Sequence, residues 1–188
     1  MGDVYRDLPL LEDQRFLLRQ VGEEDAGDLA QVYGDKNALP FFNSDNCNGD
    51  NFYYPTRERM LEAIRFWRRG YEERWFVRWA VADKGAGRAV GTVELCRRAS
   101  RDSFDGCGIL RLDVKNSLER AEVLLQLLRL ILPSAFEMMD CGAIITKAPL
   151  YAVERREALE KAGFAEEHRP LIGEDGKQYW DYWVTARP

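Results

Sequence analysis

Val123, Leu124, Leu127, Leu128, Ile131 and Leu132 recur at helical spacing, and this segment constrains the chain more than any other. A helix with so broad an apolar face is stable only when other elements cover it. Apolar strands flank it in the sequence, Gly108 to Val114 before and residues 143–146 (Ala-Ile-Ile-Thr) after. Pro133 is expected to end or kink the helix, leaving Ser134 to Met139 as a separate turn.

Residues 15–21 read as a first strand, and Glu23, Glu24 and Asp25 then place acids in the first turn of a helix continued by Leu29, Val32 and Tyr33. Residues 34–55 are dense in Asn, Asp and Gly with aromatics between them, and read as one long ordered loop. Thr56 can cap a second helix, whose apolar face is Met60, Leu61, Ile64 and Trp67. Residues 75–82 and 89–96 read as a hairpin around Lys84-Gly85-Ala86-Gly87-Arg88. A helix from Val153 to Lys161 is closed by Gly163, and last strands over 168–172 and 179–184 surround the turn Gly173-Glu174-Asp175-Gly176. The order is β-α-α-β-β-β-α-β-α-β-β. It predicts a single α/β (α+β) domain over residues 1–188, with residues 1–14 as an N-terminal extension and a mixed central sheet of about six to seven strands flanked by helices.

A length of 188 residues suits one domain, and a composition 46% apolar and 31% charged suits an ordinary globular one. No apolar run approaches the roughly 20 residues a membrane span needs. The first residues carry acids where a secretory signal would be basic, and Arg6 stands where N-myristoylation of Gly2 wants Ser or Thr, so the expected compartment is the cytoplasm. A net charge of −5 argues against nucleic acid as a partner. Cys47, Cys96, Cys107 and Cys141 are irregularly spaced and His168 is the single histidine, so neither a zinc site nor a histidine-based hydrolase is expected.

Three stretches carry a family resemblance: RFLLRQVGEEDAGDLAQVY at 15–33, AVGTVEL at 89–95 and EALEKAGF at 157–164. In that order they resemble the GNAT superfamily of N-acetyltransferases, closest to its branch of ribosomal-protein-acetylating enzymes. The resemblance implies transfer of an acetyl group from acetyl-CoA to a primary amine of a small molecule or a protein N-terminus, without a metal. It implies that the cofactor lies in a splay between two central strands, against the backbone of Leu112, Asp113 and Val114. Its diphosphate would rest at the start of the central helix, here Ser117, Leu118, Glu119, Arg120, Ala121 and Glu122, with Arg155 near the adenosine phosphate. Helix-start amides favour an anion there. The family's glycine-rich loop has become a glycine-free stretch in which Glu119 and Glu122 add negative charge, while Lys115, Ser117 and Arg120 compensate. The alternative is a catalytically inactive GNAT-like domain that binds CoA, an acyl carrier or another ligand through the Asn/Asp-rich loop.

Acyl transfer to an amine needs a proton acceptor, and Glu94 is the first candidate. An acid inside an apolar strand is costly unless paired or set in a cleft. Equally, Glu94 can pair with Arg97, Arg98 or Arg111. Asp113 is the second candidate. Tyr151 is the nearest phenol for a general acid, since Leu159 stands where many family members have a tyrosine. In the loop, Phe42, Asn43, Asp45, Asn48, Asp50, Phe52 and Tyr53 are candidate acceptor contacts. The carboxylates would hold an ammonium and the rings an apolar or cation–π wall. The same residues also suit Asx-turns with rings anchoring the loop. A homodimer through Tyr179-Trp180-Asp181-Tyr182-Trp183 stays open beside a core role for those rings.

Overall fold

The computed structural model describes residues 3–188, so the reading of Gly2 as unmodified lies outside the described residues. In chain order the elements are β1 (Leu11–Glu12), β2 (Phe16–Gln20), α1 (Ala26–Tyr33), α2 (Arg57–Glu72), β3 (Val77–Asp83), β4 (Arg88–Arg97) and β5 (Gly108–Val114). They continue as α3 (Ala121–Met138), β6 (Ala143–Lys147), α4 (Val153–Lys161), β7 (Ala165–Glu167), β8 (Leu171–Ile172), β9 (Gln178–Tyr179) and β10 (Tyr182–Ala186). An eight-stranded sheet runs β1-β2-β3-β4-β5-β6-β10-β7, and β8 and β9 form a separate ribbon.

One face of the sheet takes the stripe of α3. Val123, Leu124, Leu127, Leu128 and Ile131 pack with Trp79, Val81, Val93, Leu95, Leu110 and Leu112, all buried. Each such side chain contributes about 1.5–3 kcal/mol on burial, which is why this helix organises the domain. The opposite face receives α1 and α2 through Leu29, Val32, Tyr33, Met60, Ile64 and Trp67.

The sheet is antiparallel except between β5 and β6, joined in parallel by the α3 crossover. Their pairing is limited to Gly108↔Ile144 and Ile109↔Ile145. Beyond Ile109 the two strands part, while β6 stays paired with β10 along its whole length on its other edge. The chain thus opens its own sheet beside the last residues of β5.

Several expectations change. Pro133 neither ends nor separates α3, which runs unbroken to Met138. The lost backbone donor is outweighed because Ala135, Phe136 and Met138 stay on the buried face. The N-terminal segment from Val4 packs on the domain: β1 pairs with β2, Val4 is buried, and Trp79 Nε1 donates to the Pro9 carbonyl at 2.9 Å. The last strands pair differently, β10 lying between β6 and β7. Tyr182 and Trp183 are spent in the core, leaving Trp180 as the half-exposed ring of that segment. Gly163 closes α4 as expected. At φ +87° it lets Phe164 N–H return to the Leu159 carbonyl at 3.0 Å, a turn other residues make only with strain.

Candidate functional site

Cross-strand register builds the centre of the site. Arg78 of β3 stands opposite Glu94 of β4, Glu94 opposite Arg111 of β5, and Thr92 opposite Asp113. Side chains directly opposite share a face, so five polar groups meet on the α1–α2 side of the sheet. Glu94 accepts from Arg78 Nη2 on one oxygen and from Arg111 Nη1 on the other. Arg78 Nη1 also donates to Tyr33 Oη at 3.2 Å and Thr92 Oγ1 at 3.1 Å, and Tyr33 Oη donates to Asp113 at 2.9 Å.

This arrangement bears on the expected bases. Burial opposes ionisation of Glu94, but the Arg78 and Arg111 guanidinia override it and hold the carboxyl below its ordinary range. With both oxygens engaged, Glu94 is an ion-pair bridge, and the pairing with Arg111 is the one realised. Asp113 differs: burial pushes its carboxyl up despite Arg78 and the Tyr33 hydroxyl, and its Oδ1 has no hydrogen-bond partner. Of the two acids, only Asp113 has its carboxyl raised.

A cavity of about 480 Å³ opens over Arg78, Glu94 and Arg111. Phe52, Tyr54, Phe66, Trp67 and Phe76 form its aromatic walls, and Asn46, Cys47, Asn48 and Asp50 its loop side. The loop is held in a demanding conformation: Asn46, Asn48, Gly49 and Phe52 all have positive φ. Asparagine tolerates this region, but Phe52 at φ +59° is strained. Its N–H bond to Asp50 Oδ1 at 2.8 Å and its ring against Tyr33 and Tyr54 keep it there. On the helix side, Gly70 of α2 admits Phe76: a Cβ at residue 70 would lie 2.6 Å from the Phe76 ring.

Of the expected acceptor contacts, Asn48, Asp50 and Phe52 line this cavity. Phe42 packs its ring on Tyr33, and Asn43 points its Nδ2 toward the Tyr182 hydroxyl. Asp45 is taken by Lys147 Nζ at 2.7 and 2.8 Å and by Tyr182 Oη at 3.2 Å, so it holds no external ammonium. Tyr53 is not among the lining residues; its N–H closes an Asx-turn on Asn51.

The splay beside β5 is occupied by the protein's own side chains. Arg155, expected near the adenosine phosphate, is 5% exposed and reaches inward from α4. Its Nη1 donates to the Leu112 carbonyl at 2.8 Å, and Nε and Nη2 each hold Glu119 at 2.7 Å. Glu154 accepts from the Ala121 N–H, the first amide of α3, at 2.7 Å, and its other oxygen lies 3.5 Å from Arg120. What remains is a depression of about 240 Å³ lined by Phe41, Asn116, Glu119, Arg120 and residues 151–154. Ser117, Leu118 and Glu122 do not line it. Tyr151 stands at its mouth, 60% exposed, with its hydroxyl on the Pro40 carbonyl at 2.6 Å. Burial pushes that phenol up.

The donors in this groove therefore match an anion chemically. A helix-start amide and two arginines converge there, and the anions now on them are Glu119 and Glu154. Among the described residues no three or more His, Cys, Asp or Glu side chains are placed to hold a metal ion. No helix among them is long and apolar enough to cross a membrane.

No protein-family model matches the chain, and no curated protein matches it. Solved structures do. A ribosomal-protein-S5-alanine acetyltransferase from Vibrio fischeri superposes with a TM-score of 0.68 at 14% identity, over 95% of this chain and 96% of that one. A GNAT-family acetyltransferase from Bacillus anthracis gives 0.66 at 13% identity, over 95% and 98%. AAC(6')-Ib in complex with paromomycin and acetyl-CoA gives 0.64 at 16% identity, over 92% and 93%. The chain has the GNAT acetyltransferase fold across nearly its whole length, and these structural neighbours are GNAT acetyltransferases. The resemblance read from residues 15–33, 89–95 and 157–164 thus holds at the level of fold.

Proposed function

We propose that this chain is an acetyl-CoA-dependent N-acetyltransferase acting on a primary amine of a small molecule or a protein N-terminus. The observation that carries the reading is the end of β5–β6 pairing at Ile109↔Ile145, which opens the sheet where the fold's acyltransferases lay their thioester. The neighbour that holds acetyl-CoA has this fold and supports the same co-substrate here. Ala121 N–H, Arg120 and Arg155 are the groups that would hold its diphosphate, once Glu154 and Glu119 give way. The thioester supplies the activated acetyl group. The chain's own part is proton handling and positioning. Asp113, pushed up by burial and with Oδ1 unpartnered, takes the proton the amine gives up as its C–N bond forms, while Glu94 fixes Arg78 and Arg111. The C–S bond breaks and the CoA thiolate leaves, to be protonated by solvent.

The test is thiol release from acetyl-CoA with a panel of primary amines. Saturable turnover that is lost in Asp113→Asn, with the fold retained, is the expected result. No turnover with any amine, together with no acetyl-CoA binding, would contradict it.

One observation favours a second reading, a domain that binds ligand without acyl transfer. Arg155 and Glu119 make a buried, mutually satisfied pair across the groove, and removing one partner of such a pair costs about 3–5 kcal/mol. In that reading the large cavity is the functional site and the groove stays closed.

A further inference from the structure

One wall of the large cavity is a segment anchored by aromatic rings at its ends and held by polar contacts between them. Phe42 and Phe52 are buried, and both rings pack on Tyr33, with centroids 4.9 and 6.4 Å away. Asn43 is buried beside Phe42, and Asp50 accepts from the Tyr54 hydroxyl at 2.9 Å. Between these anchors lie Ser44, Asp45, Asn46, Cys47, Asn48 and Gly49. None of the six is buried, and Asn46, Cys47 and Asn48 line the cavity. Gly49 stands at φ +82° in open space, which suits the end of a moving segment.

The ties of this segment to the sheet converge on Asp45. Lys147 Nζ, at the end of β6, donates to its two carboxylate oxygens at 2.7 and 2.8 Å, and Tyr182 Oη of β10 donates at 3.2 Å. Arg111 Nη2 of β5 donates to the Asp45 carbonyl at 3.2 Å. Farther along, the Glu174 N–H, in the turn between β8 and β9, donates to Asn46 Oδ1 at 2.8 Å. Cys47 adds a half-buried contact with the core. Polar ties of this kind contribute little net, because water replaces them when they break. The Lys147 and Asp45 side chains are 22% and 12% exposed, so water already borders the pair. A segment held in this way opens locally, at far less cost than global unfolding.

We propose that residues 44–49 are a lid on the large cavity and that Asp45 is its latch. When Asp45 leaves Lys147 and Tyr182, the segment swings out about Asn43 and Gly49 and the cavity opens to its ligand. The inference does not rest on the acetyltransferase reading, because latch and cavity are complete without the groove beside β5.

The experiment follows opening in the full chain, without any CoA compound, through the rate at which N-ethylmaleimide labels Cys47 and through amide exchange. Asp45→Asn keeps the shape of the latch but removes the charge that Lys147 holds, and Lys147→Met removes the other partner. Each is expected to speed Cys47 labelling about tenfold, as the open state gains population, and to leave the buried Cys141 unchanged. The Glu174 amide, bonded to the lid, is expected to exchange faster in both variants. The Tyr54 amide, bonded to the Tyr33 carbonyl at 3.1 Å beyond the hinge, is expected to keep its protection. Unchanged Cys47 labelling in either variant would overturn the latch. Equal acceleration at Cys47 and Cys141, or lost protection at Tyr54, would show general loosening in place of a lid and would overturn it too. Leaving the CoA compounds out keeps a failure here separate from a failure of acetyl transfer.

Discussion

Arg155 of α4 donates a hydrogen bond of 2.8 Å to the carbonyl of Leu112 on β5, spanning the opening that the sheet makes between β5 and β6. That one contact ties the last helix to the free edge of the central strand. The same guanidinium neutralises Glu119 from the start of the α3 segment, so a cleft characteristic of the fold is closed by a buried ion pair.

Arg155→Met is expected to destabilise the protein by about 3–5 kcal/mol, because Glu119 is left buried without its counterion. Adding Glu119→Gln should recover more than half of the loss. Chemical denaturation of the two single variants and the double variant measures this cycle. Additive losses would show that the two side chains do not act as a pair.

Glu94→Gln should cost about 3 kcal/mol in stability, since Arg78 and Arg111 lose their shared counterion. Thermal melting reads this directly. If Glu94 were instead the proton acceptor, the variant would melt normally and fail only in turnover.

Gly70→Ala places a methyl group 2.6 Å from the Phe76 ring, which must move. Overpacking outweighs the gain of about 1 kcal/mol from replacing a helical glycine, so a net loss of about 1 kcal/mol is expected. Denaturant unfolding checks the sign. A stabilised variant would show that Phe76 is not confined by α2.

The β8–β9 ribbon should loosen in acid. Burial opposes ionisation of Asp102, yet Arg98, the Ile172 N–H, Ser100 and the Phe104 N–H lower its carboxyl from 3.8 to about 2. A depressed acid contributes stability that is present above its unfolded pKa and lost as pH falls through the folded one. The loss should therefore develop between about pH 4 and pH 2. Amide exchange at Ile172 follows it, and Asp102→Asn should show the same looseness at neutral pH.

Much of the fold was legible because its strongest signals are local. The strand Gly108–Val114 and the helix Val153–Lys161 lie where apolar pattern and the Gly163 stop put them. Pro133 misled because local helix chemistry is overruled by the burial of Ala135 and Phe136 beyond it. The site was less legible, since its contacts join distant residues. Nothing local marks Arg155 as the inward member of the Arg155-Arg156 pair, while Arg156 turns to Glu166. Arg78 was passed over because its partners, Glu94 and Thr92, stand on another strand and only register brings them together. The available signal was Arg78, Glu94 and Arg111 inside three consecutive apolar strands, which register then set side by side.

The most direct test of the central claim is calorimetric titration of the native chain and of Glu154→Gln with acetyl-CoA. A groove whose anion donors are held by its own carboxylates predicts saturable binding to both. The variant should bind about fivefold tighter, because the Ala121 amide no longer carries a negative partner. No saturable binding to either protein at millimolar acetyl-CoA would contradict the acetyltransferase reading and leave the aromatic cavity as the functional site.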